Sequence, residues 1–310
     1  MPEKDLRSRP RDLRAMHSFA VCAYGESPYL EACLRSLKAQ TVPSEILICT
    51  STPNRHIEGL AAKYGIPLMV RDVQREGGAR GIGADWNYAF RSAGGEYVTL
   101  AHQDDMYEKH YTEAVLREAE RWPDMDLFTC SAVTVKNGRP ERFPGLPEIV
   151  KTILRVPLRF RSLSHLTWVK RLVLRFGNPV ICPSVAYRKS TVEAMMRSSD
   201  SGGESGSTCS STCSSTCSSS YGTDGPFSET RKFILDWEFL FDLAAAGGRW
   251  ICDERPRMFY RVHDGAATAE CIRDHARERE EEEMFRKLWP RKAADLILKF
   301  YRRSYDAYQQ

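Results

Sequence analysis

Two adjacent carboxylates, Asp104 and Asp105, follow a run of apolar residues and stand in the stretch His102-Gln103-Asp104-Asp105. Neighbouring carboxylates repel each other, so a chain that keeps them together needs a cation or hydroxyl donors close by. Hard divalent ions take oxygen ligands of this kind and share them with substrate phosphates. The same pair also occurs in helix caps and turns, so its place in the fold decides its meaning. Other phosphate chemistries lack their residues. The first apolar run leads into Ala23-Tyr24-Gly25-Glu26-Ser27 and not into a G-x-G-x-x-G turn, Gly81-Ile82-Gly83 has no third glycine, and no G-x-x-x-x-G-K-[ST] occurs. Hydride transfer on a dinucleotide and P-loop chemistry are therefore disfavoured.

The elements around these residues alternate. Phe19–Ala23, Glu45–Thr50, Pro67–Val70, Glu96–Ala101 and Leu127–Val135 read as strands, separated by helical periodicity over Pro28–Gln40, His56–Tyr64, Ala84–Ala93 and Lys109–Trp122. Ser27-Pro28 is expected to cap and open the first helix, with Gly65, Gly94-Gly95 and Pro123 closing the helices. This alternation predicts an α/β sheet with helices on its faces, and such sheets bind ligands beyond the carboxyl ends of their strands. Asp104 and Asp105 fall at one of those ends. Later, Asp236–Ala246 reads as a helix closed by Gly247-Gly248, Arg249–Cys252 and Arg257–Val262 as two short strands, Arg277–Glu283 as a solvated charged helix face, and the residues beyond Pro290 as an amphipathic helix.

Composition sets the class. With 42% hydrophobic and 28% charged residues in 310, the chain is an ordinary globular one, and its net charge of +4 does not argue for nucleic acid. No apolar stretch approaches the length of a membrane span. Met1–Arg14 mixes five basic with three acidic residues and has no long apolar core, so a cytoplasmic protein with reduced thiols is expected. One charge anomaly exists: between Lys151 and Arg175 stand seven basic residues and no acidic one, interleaved with Leu, Ile, Val, Phe160 and Trp168. It reads either as a solvated face of helices broken at Pro157 or as a peripheral contact with anionic lipid or a phosphate-bearing substrate. Residues 198–225 hold twelve Ser and five Gly in 28 positions and are expected to be a disordered surface insert. Its Cys209, Cys213 and Cys217 repeat is a poor match to paired zinc ligands.

The ordered set of motifs resembles family 2 of the nucleotide-sugar glycosyltransferases. The likeness is carried by Val21-Cys22-Ala23-Tyr24-Gly25-Glu26, the helix from Tyr29 to Thr41, Gly83-Ala-Asp-Trp-Asn87-Tyr-Ala89, Gly95-Glu-Tyr-Val98 leading to Gln103-Asp104-Asp105, then Asp236-Trp237-Glu238 and Tyr260-Arg261-Val262-His263. It runs from Ser18 to Thr268 apart from the insert. The resemblance implies a GT-A fold: a basic lead over 1–17, a transferase domain over 18–268 and a helical extension over 269–310. It further implies a diphosphonucleotide sugar donor, Mn2+ or Mg2+, inversion at the anomeric carbon and a glycan or lipid-linked acceptor in cell-surface synthesis. By the same likeness Asp105 is the metal ligand, Asp104 holds the ribose or the metal shell, Asp236 is the general base and His263 touches metal or diphosphate. Tyr24, Glu26 and Asp85 line the nucleotide pocket.

Each assignment has a plainer alternative: Asp236 and Asp85 as helix caps, His263 as a loop histidine, Tyr24 as packing, Glu26 as a cap. One departure from the family stands out. Cys49-Thr50-Ser51-Thr52-Pro53-Asn54 lacks the acidic residue that many members carry after the second strand, which weakens the expectation of a uridine donor. A catalytically inactive binding module on the same scaffold is the alternative function, opposed by intact Asp104, Asp105 and Asp236. Nucleotidyl transfer would want a Gly-rich first loop followed by Arg or Lys, and the chain has none.

Overall fold

The computed structural model describes residues 16–73, 81–136, 138–141, 143, 145–200 and 225–306. In chain order the elements are β1 (His17–Cys22), α1 (Leu30–Lys38), β2 (Glu45–Thr50), α2 (Arg55–Tyr64), β3 (Leu68–Val70), α3 (Ile82–Ser92), β4 (Tyr97–His102), β5 (Met106–Tyr107) and α4 (Tyr111–Arg121). There follow β6 (Met125–Lys136), β7 (Arg139–Pro140), α5 (Leu146–Arg159), α6 (Thr167–Arg175), β8 (Ala186–Arg188) and α7 (Lys189–Asp200). The chain closes with α8 (Leu235–Leu243), β9 (Arg249–Val262), α9 (Ala267–Arg273), α10 (Ala276–Leu288) and α11 (Arg291–Asp306).

One sheet joins the strands in the order β3-β2-β1-β4-β8-β6-β9-β5, with β7 hanging on β6. Strands β1 to β4 run parallel, so their carboxyl ends line a single edge. The strands Phe19-Ala-Val and Ile-Leu-Ile-Cys are apolar on both faces, as parallel strands covered by helices must be. Phe19 and Val21 pack with α1, α2 and α4, while Ala20, Leu47 and Leu100 pack on the opposite side with α3, α6 and α8. Strand β8 then reverses direction between β4 and β6, and β9 lies parallel to β6.

Close approaches explain two of the motif glycines. A Cβ on Gly95 would meet Ser18 Oγ at 2.6 Å, so only glycine lets the turn into β4 lie against β1. A Cβ on Gly83 would collide with the carbonyl oxygen of Ser228, and one turn later the buried Asn87 side chain accepts from Phe227 N and donates to Phe227 O. The motif that opens α3 thus docks the chain that returns after the insert.

Four local expectations are corrected. Helix α1 starts at Leu30 behind Tyr29 with no side-chain cap, because Ser27 Oγ turns instead to Asp104 at 3.1 Å. Pro157 lies inside α5, which continues to Arg159; in the last turn a missing N–H costs one bond and does not end the helix. The two late strands are one, β9, whose register against β6 slips around Asp253–Met258; the bulge absorbs Pro256, which has no ladder donor. The Arg277–Glu283 run is a solvated face only in part: Glu278, Arg279 and Glu283 are exposed, whereas α10 buries Glu280 and Glu281. Helix α7 extends through Asp200, three residues into the expected insert, and residues 201–224, with Cys209, Cys213 and Cys217, lie outside the described residues. The other seven cysteines carry free thiols, five of them buried.

Candidate active site

The parallel edge gathers the loops after β1, β2 and β4. Gln103 clamps the first of them, its Oε1 accepting from Tyr24 N at 2.9 Å and its Nε2 donating to Tyr24 O at 3.0 Å. Gly25, at φ +59°, takes a left-handed turn that glycine favours, and its N–H donates to Thr52 Oγ1. The Tyr24 ring, 65% exposed, is not packing, and Glu26 is exposed at a helix that has no side-chain cap. Both stand on the rim of the edge, free of the structural duties that were their alternatives.

Asp85 is not a cap either, since the residue capping α3 is Gly81. Its carboxylate accepts from Ser51 Oγ at 3.0 Å and pairs with the buried Arg71 at 3.2 Å. The hydroxyl after β2 therefore brings a carboxylate from α3 to the place where the sequence itself offers no acid.

Asp104 and Asp105 diverge. Asp104 accepts from Ser27 Oγ, and its other oxygen lies 3.2 Å from His263 Nε2, an atom that makes no hydrogen bond. Asp105 is buried, and its Oδ1 accepts the Arg261 N–H at 2.9 Å. That bond follows from the short antiparallel pairing of β5 with β9, which sets Met106 opposite Phe259 and brings the end of β9 over the carboxylates. Arg261 also donates from Nε to Asp104 O and lies over the Tyr29 ring, which in turn packs against His263. Burial pushes the Asp105 carboxyl up to about 8, the Asp104 charge adding to the shift and Arg261 opposing it.

A buried carboxylate so biased, beside a second carboxylate and an imidazole nitrogen without a partner, is short of positive charge. A divalent cation fits that deficit. Among the described residues no three His, Cys, Asp or Glu side chains surround one point.

Asp236 occupies the first turn of α8 but is not its cap, which is Ile234. One carboxylate oxygen accepts from Trp237 N and the other from Asn178 Nδ2, both at 2.8 Å. Burial raises its carboxyl to about 6, against the opposing pull of the Trp237 amide and the Lys151 charge. The thiol of Cys182 is pushed up by burial first and then by Asp236, Cys22 and Asp105. Asn178 and Arg71 stand in no motif, and Ser27 was legible only as the expected cap of the first helix, so none of the three was found as a site residue.

Comparisons with known proteins agree with this architecture. The family model described as glycosyl transferase family 2 matches residues 18–199, more than half of the chain. The chain belongs to that family. EpsH of Bacillus subtilis (strain 168), assigned as a glycosyltransferase, is 29% identical over 116 residues, which cover 37% of this family 2 chain and 33% of EpsH. The chain thus matches about a third of the length of that curated relative. S. aureus TarS 1-349 in complex with UDP-GlcNAc aligns with a TM-score of 0.57 at 17% identity over 91% of this chain and 70% of that one. The mannosyltransferase PcManGT of Pyrobaculum calidifontis, in complex with GDP-Man and Mn2+, aligns at 0.54 and 15% identity over 90% and 73%. At such identities the structural likeness shows the fold, which is the GT-A fold.

Proposed function

We propose that the chain is a metal-dependent glycosyltransferase that moves a sugar from a nucleoside-diphosphate donor to a hydroxyl acceptor with inversion. The observation that supports this reading is the pair of acidic centres: Asp104–Asp105–His263 at the carboxyl edge of the sheet, and Asp236 in the first turn of α8 with a carboxyl raised by burial to about 6. Asp105, with Asp104 and His263, would hold Mn2+ or Mg2+, whose charge stabilises the departing diphosphate. Tyr24, Glu26 and Asp85 line the nucleotide side. Asp236 takes the acceptor hydroxyl proton as the new C–O bond forms, and the donor's anomeric C–O bond breaks with its electron pair leaving on the diphosphate. A base opposite the leaving group in a single displacement gives inversion. Asn178 holds the Asp236 oxygen that is not tied to the helix, so the carboxylate keeps one orientation. Calorimetric titration with UDP-GlcNAc and GDP-mannose tests the donor half: binding that needs Mn2+ supports it, and binding indifferent to the ion contradicts it.

The reading extends to a lipid-linked acceptor, met by peripheral contact with the cytoplasmic face of a membrane. Part of the basic run turns inward, Arg155 donating to Cys130 O and Lys170 to Gly248 O, while Arg159 pairs with exposed Glu254 at the surface. Apolar residues face outward as well. Ile153, Phe160 and Trp168 are 62%, 57% and 64% exposed, and Ile149, Val150, Val156, Leu172 and Phe176 extend the same two helices. Exposed apolar side chains in this number on two neighbouring helices mark an interaction surface, and exposed Arg175 adds positive charge on the same helix as Trp168. No described helix is long and apolar enough to cross a membrane, so the contact would be lateral. The chain should co-sediment with phosphatidylglycerol vesicles, and Ile153→Glu with Trp168→Glu should lower the bound fraction several-fold without loss of fold. Equal binding by the double variant would remove the membrane from the account.

A further inference from the structure

Helix α8 has no cap of its own. Its cap residue is Ile234, whose side chain accepts nothing, so the chain entering the helix must be held from elsewhere. Glu280, forty-six residues on and inside α10, holds the three amides that lead into the first turn. Its Oε1 accepts from Lys232 N at 2.9 Å, and its Oε2 accepts from Phe233 N at 2.8 Å and Ile234 N at 3.1 Å. The side chain is buried, so these bonds are shielded from water. Around this triple contact the same segment is tied again: Arg231 pairs with Glu283, Lys232 Nζ with Asp274 at 3.0 Å, and the Cys271 thiol lies 3.8 Å from Lys232 O. All four contacts come from α9, α10 or the turn between them, helices beyond the stretch matched by the family model.

We infer that Glu280 is a positioning residue for sugar transfer: a clamp, delivered from the C-terminal helices, that fixes the segment Lys232–Ile234 entering α8 and with it the Asp236 carboxylate two residues on. Asp236 is only two residues beyond Ile234, so a shift of that segment moves the carboxylate directly. The Asn178 bond holds the carboxylate's far oxygen but not the helix that carries it. Displacement of a reacting group by about 1 Å costs on the order of a hundredfold in rate even where binding survives. The C-terminal helices are on this view part of the catalytic apparatus, with the donor site left intact in their absence of grip. The inference rests on the proposed role of Asp236.

The test uses the full chain with Mn2+ and UDP-GlcNAc or GDP-mannose, following nucleoside diphosphate release alongside calorimetric donor binding. Glu280→Gln, which keeps shape but loses one acceptor, is expected to lower kcat about tenfold, and Glu280→Ala about a hundredfold. In both, donor affinity and the number of binding sites per chain should stay at wild-type values. Amides of Lys232 to Asp236 should exchange faster with deuterium, while those of β1 and β4 do not. Glu278→Gln, which removes an exposed pair with His275 on the outer face of the same helix, should leave kcat within about twofold. The inference is overturned by either variant turning over at the wild-type rate, by kcat falling only in step with the number of binding sites, or by failure of both variants to fold. A wild-type chain that binds donor but releases no diphosphate breaks the underlying reading of Asp236, whereas unaltered turnover in the Glu280 variants breaks this inference alone.

Discussion

Asp236→Asn is expected to lower turnover by about a hundredfold or more while the protein stays folded and binds donor as before. Asn cannot take the acceptor proton. It can still accept the Trp237 N–H through its carbonyl oxygen, and it removes a charge that burial disfavours, so the melting temperature should change little. The pH profile carries a second signature. A base works only when unprotonated, and burial holds this carboxyl at about 6, so wild-type turnover should rise with pH through about 6 and fall away below it. The residual activity of the Asn variant should lack that limb. A folded variant with near-normal turnover would return Asp236 to a structural role and move the search for the base to Glu238 or Asp242.

Asp105→Asn should abolish the metal-dependent part of donor binding, the largest expected effect on affinity. The carboxylate sits buried with its charge opposed chiefly by burial itself, and a neutral amide no longer supplies the negative oxygen that a hard cation needs. Folding should survive, because the amide oxygen can keep the Arg261 N–H bond and no charge remains to be desolvated. Titration of wild type and variant with a nucleotide sugar, each with Mn2+ and then with chelator, separates the cases. Equal Mn2+-dependent affinity in the two would remove Asp105 from the metal shell.

Strands β1, β2 and β4 were legible because covered parallel strands are continuous apolar runs, and Glu45–Thr50 came out to the residue. Asp104 and Asp105 were legible because their place beyond a strand is itself informative. What the sequence hid are contacts across long separations. Nothing near Asn178 announces that it will meet Asp236, and nothing near Ser51 announces Asp85. The charge run around Glu280 looks solvated from composition, yet a carboxylate surrounded by three amides can be buried where a lone one cannot. The basic run divides: Arg155 and Lys170 donate inward to backbone carbonyls, Arg175 is exposed, and several of the interleaved apolar residues reach the surface.

The central claim is that this family 2 chain breaks the bond between a sugar and a nucleoside diphosphate with the help of a divalent ion. Release of nucleoside diphosphate from a panel of nucleotide sugars, measured with Mn2+ and again after chelation, tests it most directly. The account predicts turnover of at least one donor that disappears on chelation and returns when Mn2+ is restored. Turnover that persists in chelator would contradict the metal's role, and donor binding without release of diphosphate from any member of the panel would contradict the transferase reading and leave a binding module in its place.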